Sequence, residues 1–285
     1  MYKLLDFHFV PIMLAAKIAF FILCLCCIEN GTAEDQSSTC DNILDLIIVL
    51  DSSGSIQPVD FSKAIQAMQT FVSLLKIGPK KVMVTVINYS TNVQVPITFA
   101  DMKVTNFSVQ WLINKIGTID HLRANTHTHQ ALIEAKNICG ATCRPFEEGV
   151  ARSVVVFTDG RSTQPAETIK EAANLRSTTH ANIFAVGIGG YYLPELQAIA
   201  SDPTYVFTMQ TYQELTVLIN EITNQTCQMP AFVQLNVQVD TEVPADTYRY
   251  YRLDINLLRR SDGGFFELTV SLQTIVGNEK IVRFP

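Results

Sequence analysis

The sequence predicts an α/β fold: a doubly wound, mostly parallel sheet with one antiparallel edge strand, flanked by helices and followed by a small C-terminal all-β unit. Short apolar runs, typical of strands buried on both faces of a parallel sheet, alternate with segments whose apolar residues recur at helical spacing. Beyond residue 229 this rhythm gives way to alternation of apolar and polar residues, which is typical of strands with one exposed face. We therefore expect an α/β domain over residues 45–225 and a separate β unit over residues 229–285, for which no family is identified.

The apolar runs and helical spacings place the elements of the domain in order. Strands are predicted at residues 46–50, 82–89, 93–97, 154–157, 182–188 and 205–208. Helices are predicted at residues 58–76, 108–116, 128–139, 165–178, 193–200 and 212–223. Only turn residues, Ser90 to Asn92, separate the second and third strands, so the third is expected to be the antiparallel edge of a hairpin. In the C-terminal unit, strands are predicted at residues 233–239, 248–258 and 265–275, the last after a turn signal at residues 261–264.

Composition limits the classes of partner. A chain of 285 residues that is 48% hydrophobic can bury the core of one such domain and a smaller unit. Its net charge is -6, and Lys and Arg are scattered along the chain, so no basic stripe could follow a phosphate backbone. A nucleic-acid partner is not expected.

The first 33 residues have the pattern of a secretory signal peptide. An apolar segment at residues 18–28 follows Lys17, and small residues precede a cleavage site near Ala33. Residues 34–44 would then lead into the domain of a secreted, extracellular protein with no membrane association after cleavage. An uncleaved anchor over residues 10–28 is the alternative.

Secretion would place the remaining cysteines in an oxidising compartment, where an even number predicts disulfides. Four cysteines follow the predicted signal and allow three pairings: Cys40, Cys139, Cys143 and Cys227. A zinc site is the alternative, but no second pair with the spacing of Cys139 and Cys143 is present.

Asparagines that begin Asn-x-Ser/Thr motifs predict N-glycosylation. The predicted sites are Asn30, Asn106 and Asn224. Asn88 also begins such a motif, but it lies late in a predicted strand, which argues against its use.

Oxygen-bearing side chains end the first predicted strand. Asp51, Ser53 and Ser55 alternate with Ser52 and Gly54, so a loop over the strand end can turn a carboxylate and two hydroxyls toward one point. Such a point suits a small hard cation. The alternative is a simple turn or helix cap, because Ser and Asp side chains also bond nearby backbone groups.

This Asp-x-Ser-x-Ser motif, with its strand, resembles the first part of the metal-ion-dependent adhesion site of von Willebrand factor type A domains. The second part in that family, a Thr in a loop before a helix, is similar to residues 125–128, and the third, a strand ending in Thr-Asp-Gly, is similar to residues 154–160. The three occur in the family's order and spacing. The resemblance covers about 180 residues, from Asp45 to near Thr223.

The resemblance implies a divalent metal whose open position a carboxylate of a partner protein fills. Asp51 and Asp159 can converge because each follows a buried strand, and ligands bind at the carboxyl ends of such strands. Compact oxygen ligands favour Mg²⁺ or Mn²⁺ over Ca²⁺. The implied metal ligands are Asp51, Ser53, Ser55, Thr126 and Asp159.

The resemblance also bears on the cysteines. Some members of the family carry a terminal disulfide, which here implies a bond between Cys40 and Cys227 and leaves Cys139 to pair with Cys143. In members that switch affinity, such as integrins, the last helix slides along the sheet. A bond from Cys227 to Cys40 would tie that helix, so one fixed affinity is expected.

The expected function is that of a secreted adhesion protein that binds an extracellular protein through this metal. The alternative is a structural matrix domain with a non-functional site. An enzyme is not expected, because the sequence has neither a Gly-x-Ser-x-Gly nor a His-Glu-x-x-His motif. We interpret His121, His127 and His129 as residues of the site's rim that could make partner binding depend on pH, with a His-x-His metal site as the alternative.

Overall fold

A computed structural model describes residues 2–8, 23–24, 40, 42–234, 237–241, 249–253 and 269–274. The described strands are β1 (Tyr2–His8), β2 (Leu23–Cys24), β3 (Leu44–Asp51), β4 (Val82–Tyr89), β5 (Val93–Ile97), β6 (Ala151–Thr158), β7 (Asn182–Ile188), β8 (Val206–Met209), β9 (Ala231–Val233), β10 (Asp240–Thr241), β11 (Tyr250–Leu253) and β12 (Thr269–Thr274). The α-helices are α1 (Pro58–Ser73), α2 (Phe99–Val104), α3 (Val109–Ile116), α4 (Thr128–Thr142), α5 (Pro165–Thr179), α6 (Leu193–Ile199) and α7 (Tyr212–Cys227).

The chain divides into two compact units. The first consists of Ser37–Cys143 and Arg152–Met229. The second consists of Met1–Gln36, Arg144–Ala151 and Pro230–Pro285.

The first unit contains the predicted sheet. Its six strands lie in the order β5-β4-β3-β6-β7-β8, and β5 is the antiparallel edge. β4 and β5 lie on one side of β3, and β6, β7 and β8 lie on the other. The order therefore reverses between β3 and β6, where α/β sheets bind ligands at the carboxyl ends of their strands. The predicted fold class is confirmed.

The core of this unit follows from the apolar runs. All eight residues of β3 and all eight of β4 are buried, as expected for central strands covered by helices on both faces. Against one face packs α1, which buries Phe61, Met68 and Val72, three of the residues that the helical spacing selects.

Three local features differ from the expectations. The helix α2 was not predicted, although its start carries a capping box in which Thr98 and Asp101 bond each other's backbone N–H groups. The helix α1 ends at Ser73 rather than at residue 76. The helix α7 continues beyond residue 223 to Cys227, and the hydroxyls of Thr223 and Thr226 donate to helix carbonyls one turn earlier.

Two disulfides lie in the first unit. Cys40 pairs with Cys227, with a Cα–Cα distance of 5.5 Å, and this is the pairing that the resemblance implies. The Asn42 side chain donates to the carbonyl oxygens of Cys227 and Met229, so it holds the chain after α7 beside the start of β3. Cys139 pairs with Cys143 at the end of α4, at a Cα–Cα distance of 4.6 Å.

The second unit contains two three-stranded sheets, β10-β1-β12 and β2-β11-β9. The predicted strand at residues 233–239 is wrong in extent, since β9 ends at Val233 and the described residues 237–239 are not in a strand. Within the strands predicted at 248–258 and 265–275 lie β11 and β12, and the remaining residues of both predictions except residue 249, together with the turn signal at 261–264, lie outside the described residues.

A segment between α4 and β6 also belongs to the second unit, which the sequence did not indicate. Phe146 packs edge-on against Phe232 with ring centres 5.2 Å apart. Gly149 has a φ of 65°, and a Cβ there would lie 3.0 Å from Val239 and 3.3 Å from the Tyr251 hydroxyl. Only glycine therefore fits this turn without strain.

Of the predicted signal peptide, only β1 and β2 are described. The rest of that segment, with the predicted glycosylation site Asn30, lies outside the described residues. Within the described ranges, no helix is both long and apolar enough to cross a membrane.

Candidate metal site

The site lies where the strand order reverses. Asp51 is the last residue of β3, and Asp159 directly follows β6, the neighbouring strand. The two carboxylates therefore leave adjacent strand ends at the same edge of the sheet.

Asp51 is 1% exposed, and its carboxylate accepts hydrogen bonds from three donors. Its Oδ1 accepts from the backbone N–H of Ser53 over 2.8 Å. Its Oδ2 accepts from the hydroxyls of Thr158, over 2.7 Å, and Tyr89, over 3.3 Å. Burial raises the pKa of Asp51 to about 6, against the opposing effect of hydrogen bonds from Ser53 and Thr158.

A chain of hydrogen bonds joins the other predicted ligands of the two strand ends. The hydroxyl oxygens of Ser53 and Ser55 lie 3.1 Å apart, and the Ser55 hydroxyl donates to Oδ1 of Asp159 over 2.8 Å. Partial burial raises the pKa of Asp159, and the negative charge of Asp60 raises it further. Four of the five predicted ligands are thus linked, since Asp51 bonds the backbone of Ser53.

Thr126 reaches the site through its loop. The N–H of Gly54 donates to the carbonyl of Ala124 over 2.8 Å, which ties this loop to the one that follows β3. On the other side, the N–H of Thr163 donates to the carbonyl oxygen of Thr126 over 2.8 Å, and the N–H of Thr126 donates to the hydroxyl oxygen of Thr163 over 3.2 Å. Thr126 therefore lies between the loops that follow β3 and β6. Its hydroxyl makes no hydrogen bond to the other four predicted ligands within the described residues.

The chemistry of this donor set fits a hard divalent cation. Neither Asp51 nor Asp159 forms an ion pair with a Lys or Arg among the described residues, and the side chains that donate hydrogen bonds to them are neutral hydroxyls. Two carboxylates and three hydroxyls offer oxygen alone, which Mg²⁺ prefers. No cluster of three or more His, Cys, Asp or Glu side chains suited to a metal exists in the described part of the chain.

Three residues that support the site were not predicted. Tyr89 lies opposite Asp51 in the β3–β4 register, and its hydroxyl is 3.1 Å from that of Thr128. Because this depends on strand pairing, no local pattern could have indicated it. Thr158, in contrast, directly precedes Asp159 in the Thr-Asp-Gly motif and could have been singled out.

The three histidines near Thr126 have different surroundings. The ring of His121 stacks on Phe61 with centres 4.4 Å apart, and its Nε2 lies 3.2 Å from the Ser53 carbonyl oxygen. His127 is half-buried, whereas His129 is only 9% exposed, so the rim interpretation is wrong for His129. Burial and the neighbouring His127 lower the pKa of His129.

The predicted glycosylation sites differ in access. Asn106 and Asn224 are exposed. Asn88 is fully buried, and its side chain donates to the carbonyl of Asp120 over 2.9 Å.

Comparison with known proteins identifies related chains. The family model described as von Willebrand factor type A domain matches residues 45–225. Matrilin-2 from Mus musculus is 29% identical over 196 residues, covering 67% of this chain and 20% of matrilin-2. Matrilin-3 from Gallus gallus is 29% identical over 205 residues, covering 70% of this chain and 43% of matrilin-3. The collagen alpha-4(VI) chain from Mus musculus is 28% identical over 203 residues, covering 70% of this chain and 8% of the collagen. This chain thus spans less than half the length of each of these relatives.

Solved structures share the fold. Proximal thread matrix protein 1 from the mussel byssus, described with a zinc-occupied MIDAS motif, aligns with a TM-score of 0.57 and 24% identity, covering 66% of this chain and 46% of that one.

Proposed function

This chain belongs to the von Willebrand factor type A domain family, and we propose that it is a secreted adhesion protein that binds an extracellular protein through a divalent metal. The metal would be held at a metal-ion-dependent adhesion site made of Asp51, Ser53, Ser55, Thr126 and Asp159. Its relatives among matrilins and collagens are extracellular matrix proteins. The family is not enzymatic, which confirms the expectation that the protein is not an enzyme.

One observation carries the proposal. The hydroxyls of Ser53 and Ser55 and the carboxylate of Asp159 form a continuous hydrogen-bonded set, with spacings of 3.1 and 2.8 Å, at the strand ends where this fold binds ligands. The carboxylates have no cationic partner among the described residues, so a cation would relieve their repulsion and the cost of their burial.

The residues of the site would contribute different kinds of ligand. Asp51, fixed by Thr158 and Tyr89, would supply a carboxylate in one orientation, while Ser53 and Ser55 would supply neutral oxygens. Two carboxylates only balance the charge of a divalent ion, so the bound ion would keep an electrophilic position for a carboxylate of the partner protein.

The ligand types favour Mg²⁺ or Mn²⁺ as the ion. Oxygen ligands alone suit hard cations, and a compact set suits Mg²⁺ better than Ca²⁺. The zinc described in the mussel protein supports the use of such a motif for a divalent metal, without fixing its identity here.

A structural matrix role with a non-functional metal site is the second candidate. It is supported by the collagen and matrilin relatives and by the Thr126 hydroxyl, which is not bonded to the other four predicted ligands within the described residues. A signal peptide over residues 1–33, a lead-in over 34–44 and a separate unit over 229–285 are part of the same proposal.

Partner capture tests the function. The full secreted chain, coupled to a surface, is exposed to extracellular matrix extract in Mg²⁺ or in chelator, with an Asp159→Ala variant as control. We expect proteins that are retained in Mg²⁺, released by chelator and not retained by Asp159→Ala. Equal retention in all three conditions would favour the structural role.

A further inference from the structure

His127 and His129 form a pair that the proposed function does not use. His127 is the N-cap residue of α4, and His129 lies in the first turn of that helix. Their ring centres are 5.5 Å apart, and the rings are tilted by 45°. The Nδ1 atoms of both rings are buried and have no hydrogen-bond partner among the described residues.

Two such nitrogens side by side require an explanation. A buried polar atom without a partner costs about 1 to 3 kcal/mol, so native proteins usually satisfy it. A neutral imidazole has one nitrogen with a free lone pair, which can accept a proton or bind a metal. One metal ion between the rings would satisfy both nitrogens at once.

The spacing of the rings agrees with this explanation. Tetrahedral Zn²⁺ binds imidazole nitrogen at about 2.0 to 2.1 Å, which places the centres of two rings on the same ion about 5 Å apart. The observed distance of 5.5 Å between the ring centres is close to this value. The two residues are two positions apart at the start of α4, so the same short segment supplies both rings.

We propose that His127 and His129 bind one late first-row transition-metal ion, with Zn²⁺ as the natural candidate, through their Nδ1 atoms. This site is separate from the oxygen site at Asp159, because borderline metals prefer imidazole whereas Mg²⁺ prefers carboxylate and hydroxyl oxygen.

The surrounding charges indicate how tightly the ion is held. Glu167 and Glu171 on α5 lie close enough for their negative charge to act on His129, which favours a cation there. Their carboxylates already accept hydrogen bonds, Glu171 from Lys136 and Asn174 and Glu167 from Lys170, each about 3.0 to 3.1 Å long. Two protein ligands thus remain, so we expect a lower affinity than at closed sites with four protein ligands.

The position of the pair gives the ion a structural consequence. Thr126 directly precedes His127, and the backbone N–H of His127 donates to the Ser90 carbonyl over 3.0 Å. An ion on both rings fixes the start of α4, and with it the loop that presents Thr126.

Zinc calorimetry on the full chain, produced without a polyhistidine tag, tests the proposal. The variants are Asp159→Ala, His127→Gln, His129→Gln and, as a matched control outside the pair, His180→Asn. We expect Asp159→Ala and His180→Asn to keep one zinc site of unchanged affinity. We expect His127→Gln and His129→Gln each to lose that site. When Co²⁺ is used in place of zinc, the wild type should show the intense visible absorption of a tetrahedral complex, and the same two variants should lack it.

Two results would overturn the inference: no zinc binding by Asp159→Ala, or wild-type zinc stoichiometry in both variants of the pair. His129 is buried whereas His127 is half-buried, so His127→Gln alone decides the question if His129→Gln does not fold: loss of the zinc site supports the pair, and wild-type zinc stoichiometry overturns it. A parallel titration of the wild type with Mg²⁺ reports separately on the oxygen site. A wild type that binds zinc but not Mg²⁺ contradicts only the adhesion proposal.

Discussion

The Ser55 hydroxyl donates a 2.8 Å hydrogen bond to Oδ1 of Asp159, although 104 residues separate the two along the chain. The contact exists because β3 and β6 are neighbours and end at the same edge of the sheet. A hydroxyl that donates one hydrogen bond still has lone pairs for a cation, so this contact is compatible with both residues binding the same ion.

The hydroxyls that hold Asp51 are expected to control metal affinity without touching the metal. Thr158→Val and Tyr89→Phe each remove one donor to Oδ2 of Asp51 with little change in volume. Loss of such supporting hydrogen bonds typically weakens metal binding about 10- to 100-fold. Calorimetry with Mg²⁺ measures the change. Thr223→Val, which removes another buried hydroxyl that bonds only a helix carbonyl, is the matched control and should bind Mg²⁺ as the wild type does.

Sequence patterns predicted the first unit well because its strands are buried on both faces and its helices have one apolar side. The runs at 82–89, 93–97 and 182–188 coincide with β4, β5 and β7. In the second unit the patterns were less informative, because its sheets join distant segments and Gly149 serves a contact that local spacing cannot reveal. In the site, the motif residues could be predicted from sequence as candidate ligands, whereas the contact of Tyr89 with Asp51 depends on strand register.

The contribution of Asp51 to the stability of the metal-free protein is expected to fall as the pH rises. The pKa of Asp51 is about 6 in the folded state, whereas its ordinary value, expected in the unfolded chain, is 3.8. The folded state therefore holds the proton more tightly. The resulting stability is fully present below pH 3.8 and is lost as the pH rises through about 6, by on the order of 3 kcal/mol. Urea unfolding in chelator at pH 4 and pH 7 should show this loss in the wild type relative to Asp51→Asn. Parallel pH profiles for the two proteins would show that Asp51 does not titrate in this range.

The disulfide between Cys40 and Cys227 is expected to stabilise the fold and to fix α7. The bond spans 187 residues, for which the chain-entropy model gives about 5 kcal/mol, whereas the bond between Cys139 and Cys143 spans only 4 and gives about 2 kcal/mol. Cys227 is the last residue of α7, so a slide by one helical turn, about 5.4 Å, would break the geometry of the bond.

The two double Cys→Ser variants provide the comparison. Loss of the bond between Cys40 and Cys227 should lower the unfolding free energy more than loss of the bond between Cys139 and Cys143. Only the variant without the first bond should bind the partner with more than one affinity. Equal unfolding free energies, together with a single unchanged affinity, would show that the long bond has neither effect.

Glycosylation in a secreting cell should follow access to the asparagines. Asn106 is exposed, whereas a glycan on Asn88 would have to displace its hydrogen bond to Asp120 from within the core. Mass spectrometry of the folded, secreted protein should find glycan at Asn106 and none at Asn88. A glycan on Asn88 in folded protein would contradict the pairing of β4 in the centre of the sheet.

Calorimetric titration of the wild type and Asp159→Ala with Mg²⁺ tests the central claim most directly. Asp159 is half-buried at the carboxyl end of β6, and its side chain accepts a hydrogen bond from Ser55, so its truncation removes a proposed metal ligand with little effect on the core. We predict saturable binding of one Mg²⁺ by the wild type and none by the variant. No saturable binding by the wild type, or equal binding by both proteins, would contradict a metal-ion-dependent adhesion site at these residues.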